Sequence, residues 1–243
     1  MRAAVLAVAA LLLKSTAVQA ASLALVLAID VSASVSADSY LLQRNGIARA
    51  FENPRLVDAI SALPGGVEAL VLEWSDPDRT AVTVGWKRIV NADSAARFAA
   101  AVRATTRSSN GVTAIGPALL AAAAEFDRMP ELAEQRVIDI SGDGLANFGL
   151  PPKLARDRVV AAGISINALA ILTGERWLEG YYRRYVIGGP GSFVITARDF
   201  HSFADAMERK LALEVAMTAA PRTSGLWPAR GRDARVPENR QMQ

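Results

Sequence analysis

The chain has 243 residues, 51% hydrophobic and 21% charged, enough to close one globular core. It holds no cysteine, which excludes a disulfide framework and zinc–thiolate sites. Of the formal net charge of +3, Arg2 and Lys14 carry two, and residues 221–243 carry five arginines against Asp233 and Glu238, so residues 21–220 sit near −2. The basicity belongs to the ends, and no nucleic-acid-binding face is expected.

Met1-Arg2 opens a charged region, Ala3 to Leu13 is apolar, and Val18-Gln19-Ala20 has the small–x–small form of a cleavage site. Residues 1–20 therefore read as a secretory signal peptide, too short in its apolar run for the ~20 residues of a spanning helix. No later stretch reaches that length either. The expected product is exported, periplasmic or secreted, with no transmembrane segment after the signal is removed.

Leu23–Ile29 is a run of seven apolar residues and predicts a strand buried on both faces. Asp30-Val31-Ser32-Ala33-Ser34 follows directly, and Ser36 then caps a helix from Ala37 to about Phe51, with Tyr40, Ile47 and Phe51 on one face. Ala69–Ser75 and Ala81–Trp86 read as strands. Only residues 76–80 separate them, too few for a crossover, so they are expected to pair antiparallel. Helices are expected over Asp93–Ala104 and Pro117–Phe126. A strand at Arg136–Ser141, a helix at Pro151–Ala162 and a strand at Ile164–Ile171 come next, then a short strand at Ser192–Thr196 and a closing helix from Asp199 to about Ala216. Residues 221–243 carry Pro, Gly and Arg without apolar periodicity and are expected to be disordered. The pattern predicts an α/β, doubly wound, Rossmann-like domain over 21–220. Its six-stranded sheet is mostly parallel with one antiparallel edge strand, and helices cover both faces.

In such a sheet, ligands bind beyond the carboxyl ends of the strands, where strand order reverses. The first strand delivers Asp30, Ser32 and Ser34 there. The strand 136–141 delivers Asp143 in the turn Ser141-Gly142-Asp143-Gly144, and the loop 108–113 can bring Thr113 to the same rim. An aspartate at a strand end is by itself more often a turn or cap residue, and a GDG turn needs no ligand. Two carboxylates and three hydroxyls converging on one rim are another matter. An all-oxygen set of that kind suits a hard divalent cation such as Mg²⁺ or Mn²⁺.

With Asp30-x-Ser32-x-Ser34, Thr113 and Asp143 on one rim, the chain resembles the von Willebrand factor A and integrin I-domain superfamily. The resemblance spans about Leu23 to Val215. Asp30–Val35, with Gln43-Arg44-Asn45-Gly46 and Ala50-Phe51, is most similar to a secreted proteobacterial branch of it catalogued as a domain of unknown function. The resemblance implies a metal-ion-dependent adhesion site. Ser32, Ser34 and Thr113 would bind Mg²⁺ directly or nearly so, Asp30 and Asp143 mainly through water, and an acidic residue of a protein partner would complete the shell. It implies a binding module and not an enzyme.

The rival reading is a Mg²⁺-dependent phosphotransferase of haloacid dehalogenase type, with Asp30 as nucleophile. That chemistry wants a general acid two residues on, where this chain has Ser32, a hydroxyl that cannot act as an acid near neutral pH. The sequence contains neither a G-x-S-x-G elbow nor a G-x-x-x-x-G-K-[ST] loop. His201, the single histidine, is expected on a helix surface away from the rim. Residues 173–191 leave the rim after the strand at 164–171. Arg176, Trp177, Tyr181 and Tyr182 there are candidate partner-binding residues, being of the types enriched at binding hot spots. The competing expectation is an amphipathic helix that packs its aromatics on the sheet edge.

Overall fold

The computed structural model describes residues 19–220. The expected leader, apart from its last two residues, and the tail 221–243 lie outside these. Six strands form one sheet in the order β3-β2-β1-β4-β5-β6. They are β1 (Ala21–Asp30), β2 (Val67–Trp74), β3 (Thr80–Ile89), β4 (Ala133–Gly142), β5 (Ser165–Ile171) and β6 (Val194–Ala197). All pairs are parallel except β2–β3, the expected antiparallel hairpin at one edge. Every residue of β1 is buried, because it lies inside the sheet with helices on both faces. The chain thus has a von Willebrand A-like α/β fold.

The helices are α1 (Ala37–Glu52), α2 (Pro54–Ser61), α3 (Ala92–Arg103), α4 (Ile115–Glu125), α5 (Pro152–Ala161), α6 (Leu178–Tyr181) and α7 (Phe203–Ala219). The layer of α1, α2, α3 and α7 covers one face, and that of α4, α5 and α6 the other. The Ser36 hydroxyl caps α1 by accepting from Ser39 N at 3.0 Å. Gly46 lets α7 approach α1: a Cβ there would stand 2.8 Å from the Phe203 ring and 3.0 Å from Ala204 Cα.

Several boundaries differ from expectation for local reasons. The sequence reading contains no counterpart of α2. Asn53-Pro54 looks like a turn, yet the Asn53 carboxamide accepts from Arg55 N at 2.9 Å and Pro54 sits at the first position, so the pair starts a helix that buries Leu56, Val57 and Ile60. β3 runs on past Trp86 to Ile89, which pairs with Val67; Lys87 and Arg88 hide this strand from an apolar pattern. Asp199 caps a turn by accepting from Ser202 N at 2.8 Å, and α7 starts only at Phe203. His201 lies exposed in that turn, ahead of the helix on whose surface it was expected.

Beneath α7 the apolar layer holds a buried ionic cluster. Lys210 lies 2.8 Å from Asp139 Oδ1 on β4 and within bonding reach of Glu214 one turn on, all three without exposed side-chain surface beyond 1%. Asn167 Nδ2 donates to Glu214 at 3.1 Å. Strand order reverses between β1 and β4, so the crevice beyond their carboxyl ends is where this fold places a ligand.

Candidate functional site

β1 ends on Asp30, one step beyond the Ile29–Ser141 pairing with β4, so the two strands bring Asp30 and the Ser141–Gly144 turn to the same height. Asp30 has no exposed surface. Its Oδ1 accepts from Ser32 N at 2.7 Å, while its Oδ2 is buried with no hydrogen-bond partner. Burial is the main cause that pushes the Asp30 carboxyl up to about 7; the bonds from Ser32 pull it down and Asp143 adds to the rise.

Ser32 Oγ lies 3.3 Å from Ser34 Oγ, and Ser34 Oγ donates to Asp143 Oδ1 at 2.7 Å. Asp30, Ser32, Ser34 and Asp143 therefore form one connected cluster. Thr113 reaches the same rim by a different route. Its N–H donates to Asn147 Oδ1 and its carbonyl accepts from Asn147 N, both at 3.0 Å, which ties its loop to the segment after Asp143. Ala33 N also donates to Gly111 O at 2.8 Å.

Gly142 makes the cluster possible. A Cβ there would lie 2.9 Å from Asp30 Oδ2 and 2.5 Å from the Tyr182 hydroxyl. The oxygen that lacks a partner thus lies close against Gly142, where no side chain fits. The linked cluster is two carboxylates and two hydroxyls, and among the described residues no group of three His, Cys, Asp or Glu side chains could hold a metal. Hard oxygen donors of this kind fit a divalent cation that prefers oxygen over nitrogen and sulfur.

Further residues, which sequence reasoning missed, brace this rim. Arg107 Nη2 donates to the carbonyls of Val31 and Ser32 at 2.8 and 2.9 Å. Glu73, buried at the end of β2, accepts from the Tyr40 hydroxyl at 2.8 Å and from Ser108 N at 2.7 Å. Gln43 Nε2 donates to Asp30 O at 3.1 Å. Only Gln43 left a trace, as the first residue of the already noted Gln43-Arg44-Asn45-Gly46; Arg107 and Glu73 bond groups distant in sequence, and no spacing announces them.

The segment after β5 divides. Arg176 is exposed, Trp177 is 52% exposed, and Tyr181 is half-buried with its hydroxyl accepting from Ala146 N at 3.1 Å. Tyr182, expected on the binding face, is instead wholly buried. α6 runs into a π-type turn at Tyr182–Val186, which drives this ring under the site, where its hydroxyl donates to Gly144 O at 3.3 Å. It is floor, not surface.

A sheet of this order with such an oxygen cluster at its reversal point defines a von Willebrand A-like domain. The chain belongs to the family described as "Protein of unknown function (DUF1194)", whose model matches residues 20–219. No curated protein matches it. Among solved structures it is similar to proximal thread matrix protein 1 from the mussel byssus with a zinc-occupied MIDAS motif, at 20% identity and TM-score 0.56, over 82% of this chain and 46% of that one. A von Willebrand factor type A protein from Catenulispora acidiphila matches at 20% identity and TM-score 0.55, over 79% of this chain and 42% of that one. The vWF domain of the type V pili tip protein Mfa5 from Porphyromonas gingivalis matches at 11% identity and TM-score 0.58, over 84% of this chain and 98% of that one. The chain thus spans less than half of the mussel and Catenulispora chains. Among the described residues, no helix is long and apolar enough to cross a membrane.

Proposed function

We propose that this domain is an exported, metal-dependent protein-binding module, with Mg²⁺ or Mn²⁺ held by Asp30, Ser32, Ser34, Thr113 and Asp143. The observation that carries the reading is the Asp30 carboxylate, buried with Oδ2 unpartnered beside the linked Ser32, Ser34 and Asp143 side chains. An isolated buried carboxylate is costly, and a cation offsets that cost. The Ser34 hydroxyl can keep its hydrogen on Asp143 and still offer lone pairs to a cation, so the cluster needs no rebuilding to bind. A bound cation supplies an electrophilic centre, only partly neutralised by so few charges, which an acidic side chain of a partner protein completes. Export rests on the signal-like residues 1–20.

Asp30 has no exposed surface, and Ser32 stands where a phosphotransferase needs an acid; both favour binding over catalysis. In thermal denaturation, Mg²⁺ or Mn²⁺ at millimolar concentration raises the melting temperature, and Asp30→Ala or Asp143→Ala abolishes the gain. A ligand at a hundredfold its Kd stabilises by about 2.7 kcal/mol, well within detection. An unresponsive wild type at tens of millimolar metal would overturn the metal site. Phosphate release from an aryl phosphate, lost in Asp30→Asn, would overturn the binding reading.

A further inference from the structure

The turn that carries Asp143 is held by side chains rather than by backbone. Residues 143–146 follow the end of β4 and belong to no strand or helix. Among the described residues, their backbone makes no hydrogen bond to another backbone group. Peptide groups that are partly buried need partners, and here two tyrosines supply them. The Tyr182 hydroxyl donates to Gly144 O at 3.3 Å, and Ala146 N donates to the Tyr181 hydroxyl at 3.1 Å. One hydroxyl meets a carbonyl and its neighbour meets an N–H two residues on. The other ties lie at Asp143 itself, through the Ser34 hydroxyl, and at Asn147, where the turn ends on Thr113.

The two tyrosines form one packed unit, with ring centroids 5.9 Å apart and the planes crossed at 72°. The Tyr182 hydroxyl and Asp30 Oδ2 both lie within 2.9 Å of one point, the place a Gly142 side chain would take. Burial, with Asp30 and Asp143 adding to it, holds the Tyr182 proton well above the ordinary tyrosine value. The hydroxyl therefore stays an O–H donor at neutral pH.

We propose that Tyr181 and Tyr182 are positioning residues: their hydroxyls fix the turn where Asp143 meets Asp30, Ser32 and Ser34, and so set the affinity of the metal site. The proposal rests on the metal reading above. A ligand loop without backbone support takes its geometry from the groups behind it, and such groups are worth about 10–100-fold in metal affinity. Tyr185 is a built-in control. It belongs to the same segment, its ring lies 5.3 Å from that of Tyr181, and its hydroxyl makes no bond to the turn.

The test is a Mn²⁺ titration of the purified chain, with the free ion counted by electron paramagnetic resonance. The variants are Tyr181→Phe, Tyr182→Phe, the two together, and Tyr185→Phe, each of which removes one or two oxygens and leaves the rings. The double variant binds Mn²⁺ about tenfold or more weakly, the first two single variants less so, and Tyr185→Phe binds like the wild type. Without metal, the Ala146 amide exchanges with solvent faster in Tyr181→Phe, because its acceptor is gone. Unchanged affinity in the double variant would overturn the proposal, even with a lower melting temperature in EDTA, since that pattern belongs to packing alone. An equal loss in Tyr185→Phe would overturn it as well. If the double variant does not fold, the single variants decide by the same comparison. A wild type that binds no Mn²⁺ overturns the metal reading, and this proposal with it.

Discussion

At the scale of single residues, the site turns on two glycines that look alike in sequence and differ in surroundings. Gly142 has Asp30 Oδ2 and the Tyr182 hydroxyl within 2.9 Å of where a Cβ would go, whereas Gly144 has nothing within 4 Å. Gly142→Ala should therefore lower the melting temperature, by about 1–3 kcal/mol of lost stability, and remove the response to Mg²⁺. Gly144→Ala should do neither, and a pair of melting curves for each variant decides the matter. The contrast also marks what was legible in the chain. Asp30, Ser32 and Ser34 stand within five positions after an apolar strand, and their chemistry and their place are read together. The role of Tyr182 was not legible, because a tyrosine in an aromatic, arginine-rich stretch reads as surface. Only the π-type turn, which shifts the ring inward, makes it floor.

At the scale of elements, α7 is fastened to the sheet by charge as well as by apolar packing. Burial holds the Asp139 carboxyl up at about 7, with Lys210 pulling it down and Glu214 pushing it up, while the same carboxylates hold the Lys210 ammonium above its ordinary value despite burial. A carboxyl raised in the folded state contributes stability that is complete below its unfolded pKa near ~4 and is lost as pH climbs toward the folded value. Lys210→Met leaves both carboxylates buried without their cation. It should cost about 3–5 kcal/mol at neutral pH and distinctly less at about pH 5, where Asp139 takes a proton. Urea unfolding at the two pH values tests the sign: equal losses would mean that the lysine acts by packing alone. The loop carrying Thr113 is fastened differently, by Asn147 from the far side of the crevice. Asn147→Ala should weaken the Mg²⁺ response by roughly tenfold in affinity while leaving the sheet intact, because groups that orient metal ligands carry effects of that size. Circular dichroism with a metal titration separates the two. The hairpin β2–β3 was readable from its short connection. α2 was not, since eight residues offer little periodicity and its start looks like a turn.

At the scale of the whole molecule, residues 19–220 contain the complete sheet and both helical layers, and the family match covers nearly the same span. A fragment of these residues should fold with the melting temperature of the longer chain and a lower pI, since 221–243 carries five arginines. A large drop on truncation would show that Leu226 and Trp227 dock on the domain. The sheet order carries one more consequence, for time. β1 is the first strand made, yet its neighbours β2 and β4 arrive some dozens to a hundred residues later, and Asp143 lies more than a hundred residues after Asp30. Closing such distant pairs is slow relative to local helix formation. A cation therefore cannot template the early chain, since its oxygen donors meet only once the central strands have zipped together. Metal capture should be the last event of folding, and its arrival a clock that reports when the whole domain is finished.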